Sequence, residues 1–379
     1  MRFAWSDEQE ELRAAARAFL ADHSSPERVR AAMQTEHGFD PAVWKRIGSE
    51  LGWTAVAIPE AYGGLGLGCV ELVALMEEMG RVLLCAPFFS TVGLAANAIL
   101  LAGSEEQRQA LLPGIAAGET SATLALAEAG GRWEADAIEA SARREGDEVV
   151  LSGTKSFVLD GHTAELLLVA AREPGSRGED GLSLFHLPGE AVGVARRWLP
   201  SLDQTRRLAE VRLSDVRVPA AARLGPEGGA WPLLREALDV ALVALAAEQL
   251  GGAQRCLDMA VAFARERVQF GRPIGSFQAI KHKCADMLLR VESARSASYH
   301  AGWVAAHERA ELPAAAAVAK AWCSEAFFHC AAENLQIHGG AGFTWEYDCH
   351  LYLKRARASE ALLGDAAHHR ERLARQMGL

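Results

Sequence analysis

Gln336–Phe343 reads QIHGGAGF, and its three glycines in four positions break into a long run of otherwise helical sequence. Each glycine inside a helix costs about 1 kcal/mol relative to alanine, so the bare backbone needs a reason. One reason is the approach of a pyrophosphate, which any Cβ would hold off. Outward from this stretch the helical texture begins near residue 228. It comes in four segments: Trp231–Arg267, Ile274–Ala310, Pro313–Ile337, and one from about Trp345 to just before Gly364. Long helices joined by short turns predict an antiparallel four-helix bundle.

The preceding region changes period. TLALA, EVVLSG, ELLLVAA, LSLFHL and AEVRLSDVRV are short apolar runs divided by turn clusters such as REPGSRGED, which predicts a β domain. Residues before about 120 read as helices again. Ser6-x-x-Gln9 is a capping box, followed by an apolar face at Leu12, Ala16, Phe19 and Leu20. IPEAYGGLGLG (58–68) does not fit GxGxxG and lacks a strand-to-helix context, so it reads as an inter-helix loop. The expected architecture is α+β, with an N-terminal helical domain (1–120), a middle β-barrel or sandwich domain (121–225) and a C-terminal four-helix bundle (226–379).

A net charge of −10 and a pI near 5.7 argue against a nucleic-acid surface. Any anionic ligand must be held by a few local arginines and backbone N–H groups. Seven cysteines without a CxxC pair suit a reducing cytoplasm better than disulfides or zinc. The N-terminal stretch MRFAWSDEQEELRAAARAFL lacks the basic start and apolar core of a signal peptide. The most apolar stretch, Ala237–Leu250, is short and carries Asp239 and Glu248, so it reads as a core helix and not a membrane span.

RERVQFGRPIGSFQAIKHKCADM (265–287) stands at the joint of the first two bundle helices and supplies Arg267, Arg272, Phe270 and Phe277. Together with LQIHGGAGFTWEY…LYLKRAR, PEAYGGLGLG, LSGTKSFVLDG and the order of domains, it resembles the acyl-CoA dehydrogenase family over essentially the whole chain. The resemblance implies an assembly that binds FAD and an acyl-CoA. That assembly is a homotetramer or an α2β2 heterotetramer with a related chain, with electron-transferring flavoprotein as electron acceptor. It carries Arg267, Phe270, Gln278, Gln336, Gly339 and Gly340 over as the grip on the adenosine-pyrophosphate half of an FAD whose flavin lies in a neighbouring subunit. Phe157 stands for the aromatic wall beside a flavin. Ala127 and Leu159 replace residues that usually bear hydroxyls, and Trp133 replaces a serine. Each lost hydrogen bond is worth about 0.5–1.5 kcal/mol.

The family's reaction, α,β-desaturation of a thioester, needs a carboxylate to take the α-proton while hydride leaves for the flavin. The two positions where the family carries that base fall on Leu363 and Ala241, and neither can accept a proton. Glu248 lies two helical turns beyond Ala241 on the same face, about 10 Å away, within an apolar run where burial raises a carboxyl pKa. It is taken as the candidate base, beside a plain role as partner of an arginine. Asp365 reads as a helix N-cap, Glu360 as a solvated residue, and Asp239 as a substrate-binding residue for the pantetheine chain. His368 and His369 are adjacent, do not share a helix face, and read as solvated. No HExxH-like spacing points to a metal.

Three functions follow. The first is an FAD-dependent acyl-CoA dehydrogenase of fatty acid or steroid side-chain metabolism, with Glu248 as base. The second is a partner subunit that completes the FAD site of a heteromeric dehydrogenase and has no active site of its own. The third is a flavin-dependent oxygenase or oxidase on the same fold.

Overall fold

The computed structural model of the chain describes residues 5–379; the first four residues of the stretch tested as a signal peptide lie outside them. The helices are α1 Asp7–His23, α2 Pro26–Met33, α3 Pro41–Lys45, α4 Cys69–Arg81, α5 Asn97–Ala102, α6 Glu105–Ala116, α7 Trp231–Glu266, α8 Gln278–His307, α9 Leu312–His338, α10 Cys349–Ala361 and α11 Ala366–Gln376. The strands are β1 Ala122–Ala125, β2 Ser141–Glu145, β3 Glu148–Leu159, β4 Leu166–Arg172, β5 Leu182–Pro188, β6 Val194–Leu199, β7 Leu208–Pro219 and β8 Arg223–Leu224, with a short hairpin of β9 Val268–Gln269 and β10 Arg272–Pro273. Among the described residues no helix is long and apolar enough to cross a membrane.

Two compact units emerge. The first joins residues up to 31, residues 69–84 and residues 242–379, which bring α1, α4, most of α7 and α8–α11 together. α1 begins at the expected capping box, where the Ser6 hydroxyl accepts from the Gln9 amide at 3.3 Å and the Gln9 side chain accepts from the Ser6 amide at 2.9 Å. α4 and α7 cross with their backbones touching. A Cβ added to Gly80 would lie 2.0 Å from the Glu248 carbonyl oxygen, and one added to Gly251 would lie 1.9 Å from that of Glu77. Only glycine permits that approach. Next to the crossing, Glu77 and Glu78 are each 1% exposed. They are neutralised by Arg13, Arg17 and Arg295, as buried carboxylates must be.

The second unit holds residues 32–68 and 85–241. Its sheet runs β6-β7-β3-β2-β4-β5-β8, with β1 pairing parallel to β4. Leu151, Leu167, Val169, Phe185, Val211 and Val216 are among the residues of its core. Strands β2 (SARRE) and β6 (VARRWL) escape sequence reading because their alternation is masked by arginines, and β8 has only two residues. The β3–β7 ladder slips between Lys155 and Val158, and the bulge puts Phe157 at φ 57°. Lys155 fixes this bulge from inside. Its buried ammonium donates to the Leu126 carbonyl at 3.1 Å and to Glu128 at 2.7 Å. In the glycine-rich loop, Gly64 is required by contact, since a Cβ there would fall 1.8 Å from the Ile58 carbonyl oxygen.

Candidate functional site

α7 runs out at Glu266 into the tight β9–β10 hairpin, whose turn residues Phe270 and Gly271 both have positive φ (54° and 76°). This is the backbone that two-residue hairpins favour. The Ile274 amide closes it by donating to the Arg267 carbonyl at 2.8 Å. Phe270 is 91% exposed. Its ring meets Phe277 edge-on at 6.2 Å, and the Arg272 guanidinium covers Phe277 at 4.1 Å. Arg267 and Gln278 are exposed as well.

The glycine stretch ends α9. Gly339 takes φ 61°, ψ −141°, a region essentially closed to residues with a Cβ. Gly340 has no positive φ, and a Cβ on it would meet nothing within 4 Å. Nothing within the chain therefore requires a glycine at 340. The two motifs meet through an aromatic contact one turn away from each. Phe263 on α7 stacks on His338 at 4.1 Å, and Tyr347 stands edge-on to both at 5.9 and 5.4 Å. One corner of the helical unit thus carries an exposed guanidinium at 267, exposed side-chain amides at 278 and 336, and uncovered main chain at 339–340. Such a set can hold an anion with little net positive charge in the protein.

The positions considered for a base are apolar or engaged. Leu363 is 5% exposed and Ala241 is 0% exposed. Glu248, the candidate base, is engaged: Arg355 donates to its carboxylate at 2.6 Å, and both residues are buried. The guanidinium thus occupies one of the carboxylate oxygens that would have to face a substrate proton. Asp365 caps α11, accepting from the His368 amide at 2.8 Å, and Glu360 pairs with Arg357 at 2.5 Å. Asp239 is 1% exposed on the part of α7 that belongs to the sheet-bearing unit. In that unit Ala127 and Leu159 are buried, and the half-buried Phe157 directs a ring carbon to within 3.6 Å of the Cβ position of Gly131.

The expectation of solvated histidines also needs correction. His369 is 1% exposed, makes a 3.0 Å hydrogen bond with the Leu363 carbonyl, and burial pushes its pKa down to about 3. It shares the Leu362–Gly364 turn with Lys320, which sequence reading passed over. The Lys320 ammonium donates to the Glu360 and Gly364 carbonyls at 3.1 and 2.9 Å and to the Ser324 hydroxyl at 2.9 Å. Burial lowers its pKa to about 8. This clamp holds Leu363 at φ 60°, a conformation that leucine rarely takes. The only signal for Lys320 in the sequence was a lone lysine inside an apolar helix.

Family models match along the chain in order: acyl-CoA dehydrogenase N-terminal domain at residues 6–119, middle domain at 123–216 and C-terminal domain at 228–378. The chain belongs to the acyl-CoA dehydrogenase family of flavoprotein oxidoreductases. It is 34% identical to the acyl-CoA dehydrogenase IpdE2 of Mycolicibacterium smegmatis, covering 97% of this chain and 98% of that one. Among solved structures it is similar to a variant of the Tcur3481-Tcur3483 steroid ACAD (TM-score 0.88, 34% identity, 98% of both chains). It is also similar to the ChsE4-ChsE5 complex of Mycobacterium tuberculosis (TM-score 0.89, 29% identity, 100% of this chain and 99% of that one).

Proposed function

We infer that this chain is the base-less subunit of a heteromeric acyl-CoA dehydrogenase, and that it completes the FAD site of a related chain. The observation that carries this reading is the state of its own base positions, with apolar side chains buried at 363 and 241 and the Glu248 carboxylate bound to Arg355. The buried Ala127 and Leu159 support it, because neither offers a hydroxyl to a flavin in this chain's own β domain. The similarity to the ChsE4-ChsE5 complex supports a partnership, and the similarity to the steroid ACAD supports a bulky, steroid-derived acyl group.

The corner residues fit the diphosphate end of FAD. Arg267 supplies the positive charge, Gln278 and Gln336 supply side-chain amides, Gly339 and Gly340 leave the main chain open, and Phe270 presents a flat apolar face. Bound FAD supplies a hydride acceptor for the acyl β-carbon. This chain's residues anchor and orient the cofactor, and the sister chain takes the α-proton.

The test is flavin content. Made alone, the chain should be nearly colourless. Made with the related chain, it should give a yellow complex with about one FAD per two chains, and Arg267→Ala in this chain should strip flavin from that complex. A lone chain that carries about one FAD and bleaches anaerobically with an acyl-CoA overturns the reading.

A further inference from the structure

A cavity of about 270 Å³ opens in the helical unit among α1, α2, α4, α7 and α10. It is distinct from the FAD corner, since Arg255, which lines it, lies roughly 18 Å along α7 from Arg267. Its walls are largely apolar, formed by Leu20, Val29, Val82 and Leu351, and five charged side chains reach it: Arg17, Glu78, Arg81, Arg255 and Asp348.

Four of these five charges are matched. Arg17 binds Glu78 at 2.7 Å, Arg81 binds Asp258 at 2.8 Å, and Asp348 binds Arg30 at 2.7 Å. Arg255 is the exception. It is half-buried, and among the described residues no carboxylate pairs with it. Its neighbour Tyr352, whose hydroxyl donates to the Arg81 carbonyl at 2.5 Å, offers no charge in return, because burial raises the phenol pKa far above neutrality.

A half-buried guanidinium without a counter-ion is costly, more conspicuously in a chain of net charge −10. The guanidinium fork matches a carboxylate, and apolar walls around one polar anchor are the usual make-up of a small-molecule site. The charge balance narrows the ligand. One unmatched positive charge suits a monoanion. A phosphate dianion would bring excess charge next to Glu78 and Asp348, and a cation would find both carboxylates already taken.

We propose that this cavity binds a small monocarboxylate with an apolar body, its carboxylate on Arg255 and its carbon chain against Leu20, Val29, Val82 and Leu351. The test uses the purified full-length chain and isothermal titration with hexanoate, with hexylamine and with inorganic phosphate. Hexanoate binds at one site per chain. Hexylamine gives no heat, and phosphate does not compete. Arg255→Gln weakens hexanoate about tenfold or more, the size of a lost charged hydrogen bond, whereas Arg255→Lys, which keeps the charge, loses less. Unchanged circular dichroism in both variants separates loss of the site from loss of the fold. Absence of hexanoate binding, equal binding of hexylamine, competition by phosphate, or hexanoate affinity unchanged in Arg255→Gln overturns the proposal.

Discussion

Glu248→Leu separates the structural from the catalytic account of this residue. The substitution roughly keeps side-chain volume but leaves Arg355, 2% exposed, without the carboxylate it binds at 2.6 Å. Removing one member of a buried ion pair costs about 3–5 kcal/mol, because the remaining charge stays desolvated. Replacing both members by apolar residues is often nearly neutral. The site also lies on the α4–α7 crossing, where the Glu248 backbone abuts Gly80, so little relaxation is available. Two compact units need not unfold together, so the readout is the apparent Tm of the helical unit, followed by hydrogen exchange of α7 amides. The single variant should lose on the order of 10 °C, and Glu248→Leu combined with Arg355→Met should recover most of it. Turnover of the two-chain complex, per folded complex, should not change. A single variant within about 1 kcal/mol of the parent, or a double variant as unstable as the single, refutes the structural account. A selective loss of turnover at unchanged Tm restores Glu248 as base.

Three further outcomes are expected. Burial holds the folded pKa of His369 at about 3, against an ordinary value of 6.5. Between those values the unfolded chain binds the extra proton, so stability falls as pH drops below about 6.5; His369→Gln should flatten that slope in a Tm-versus-pH series. Lys320, held by burial near 8 when folded against an ordinary 10.5, also binds its proton less tightly in the folded chain. The cost of its buried charge is thus fully present below about pH 8 and is relieved above it. Lys320→Met should speed amide exchange in the 361–366 turn, and an unaltered turn would show that the three hydrogen bonds are dispensable. Gly251→Ala, which would place a Cβ 1.9 Å from the Glu77 carbonyl oxygen, should destabilise the helical unit severely. Gly340→Ala should leave the lone chain's Tm unchanged, since its Cβ meets nothing, yet lower the flavin content of the complex. Equal behaviour of the two glycine variants would contradict this assignment.

Much of the fold could be read from local pattern. The Ser6 capping box, the four long helical segments and the principal strands are set by interactions between residues a few positions apart, and those interactions survive in any linear reading. The resemblance of QIHGGAGF and RVQFGRPIGSF to one enzyme family was likewise legible, because both are contiguous stretches that a linear reading keeps whole. Arginine-bearing strands β2 and β6 were missed because their exposed arginines interrupt the apolar runs that mark the other strands. What only the tertiary structure decided is pairing across distance. Glu248 looked like a base because its apolar neighbours in sequence imply desolvation, and it is a salt-bridge partner because Arg355, over a hundred residues later, folds onto it. His369 read as solvated because adjacent histidines do not share a helix face, and it is buried because the chain folds its ring onto the Leu363 carbonyl. The charge left over at Arg255 is invisible until Glu78, Asp258 and Asp348 have chosen other arginines. Burial and ion pairing depend on which segments meet in space, and a one-dimensional pattern carries helix and strand periods but not those meetings.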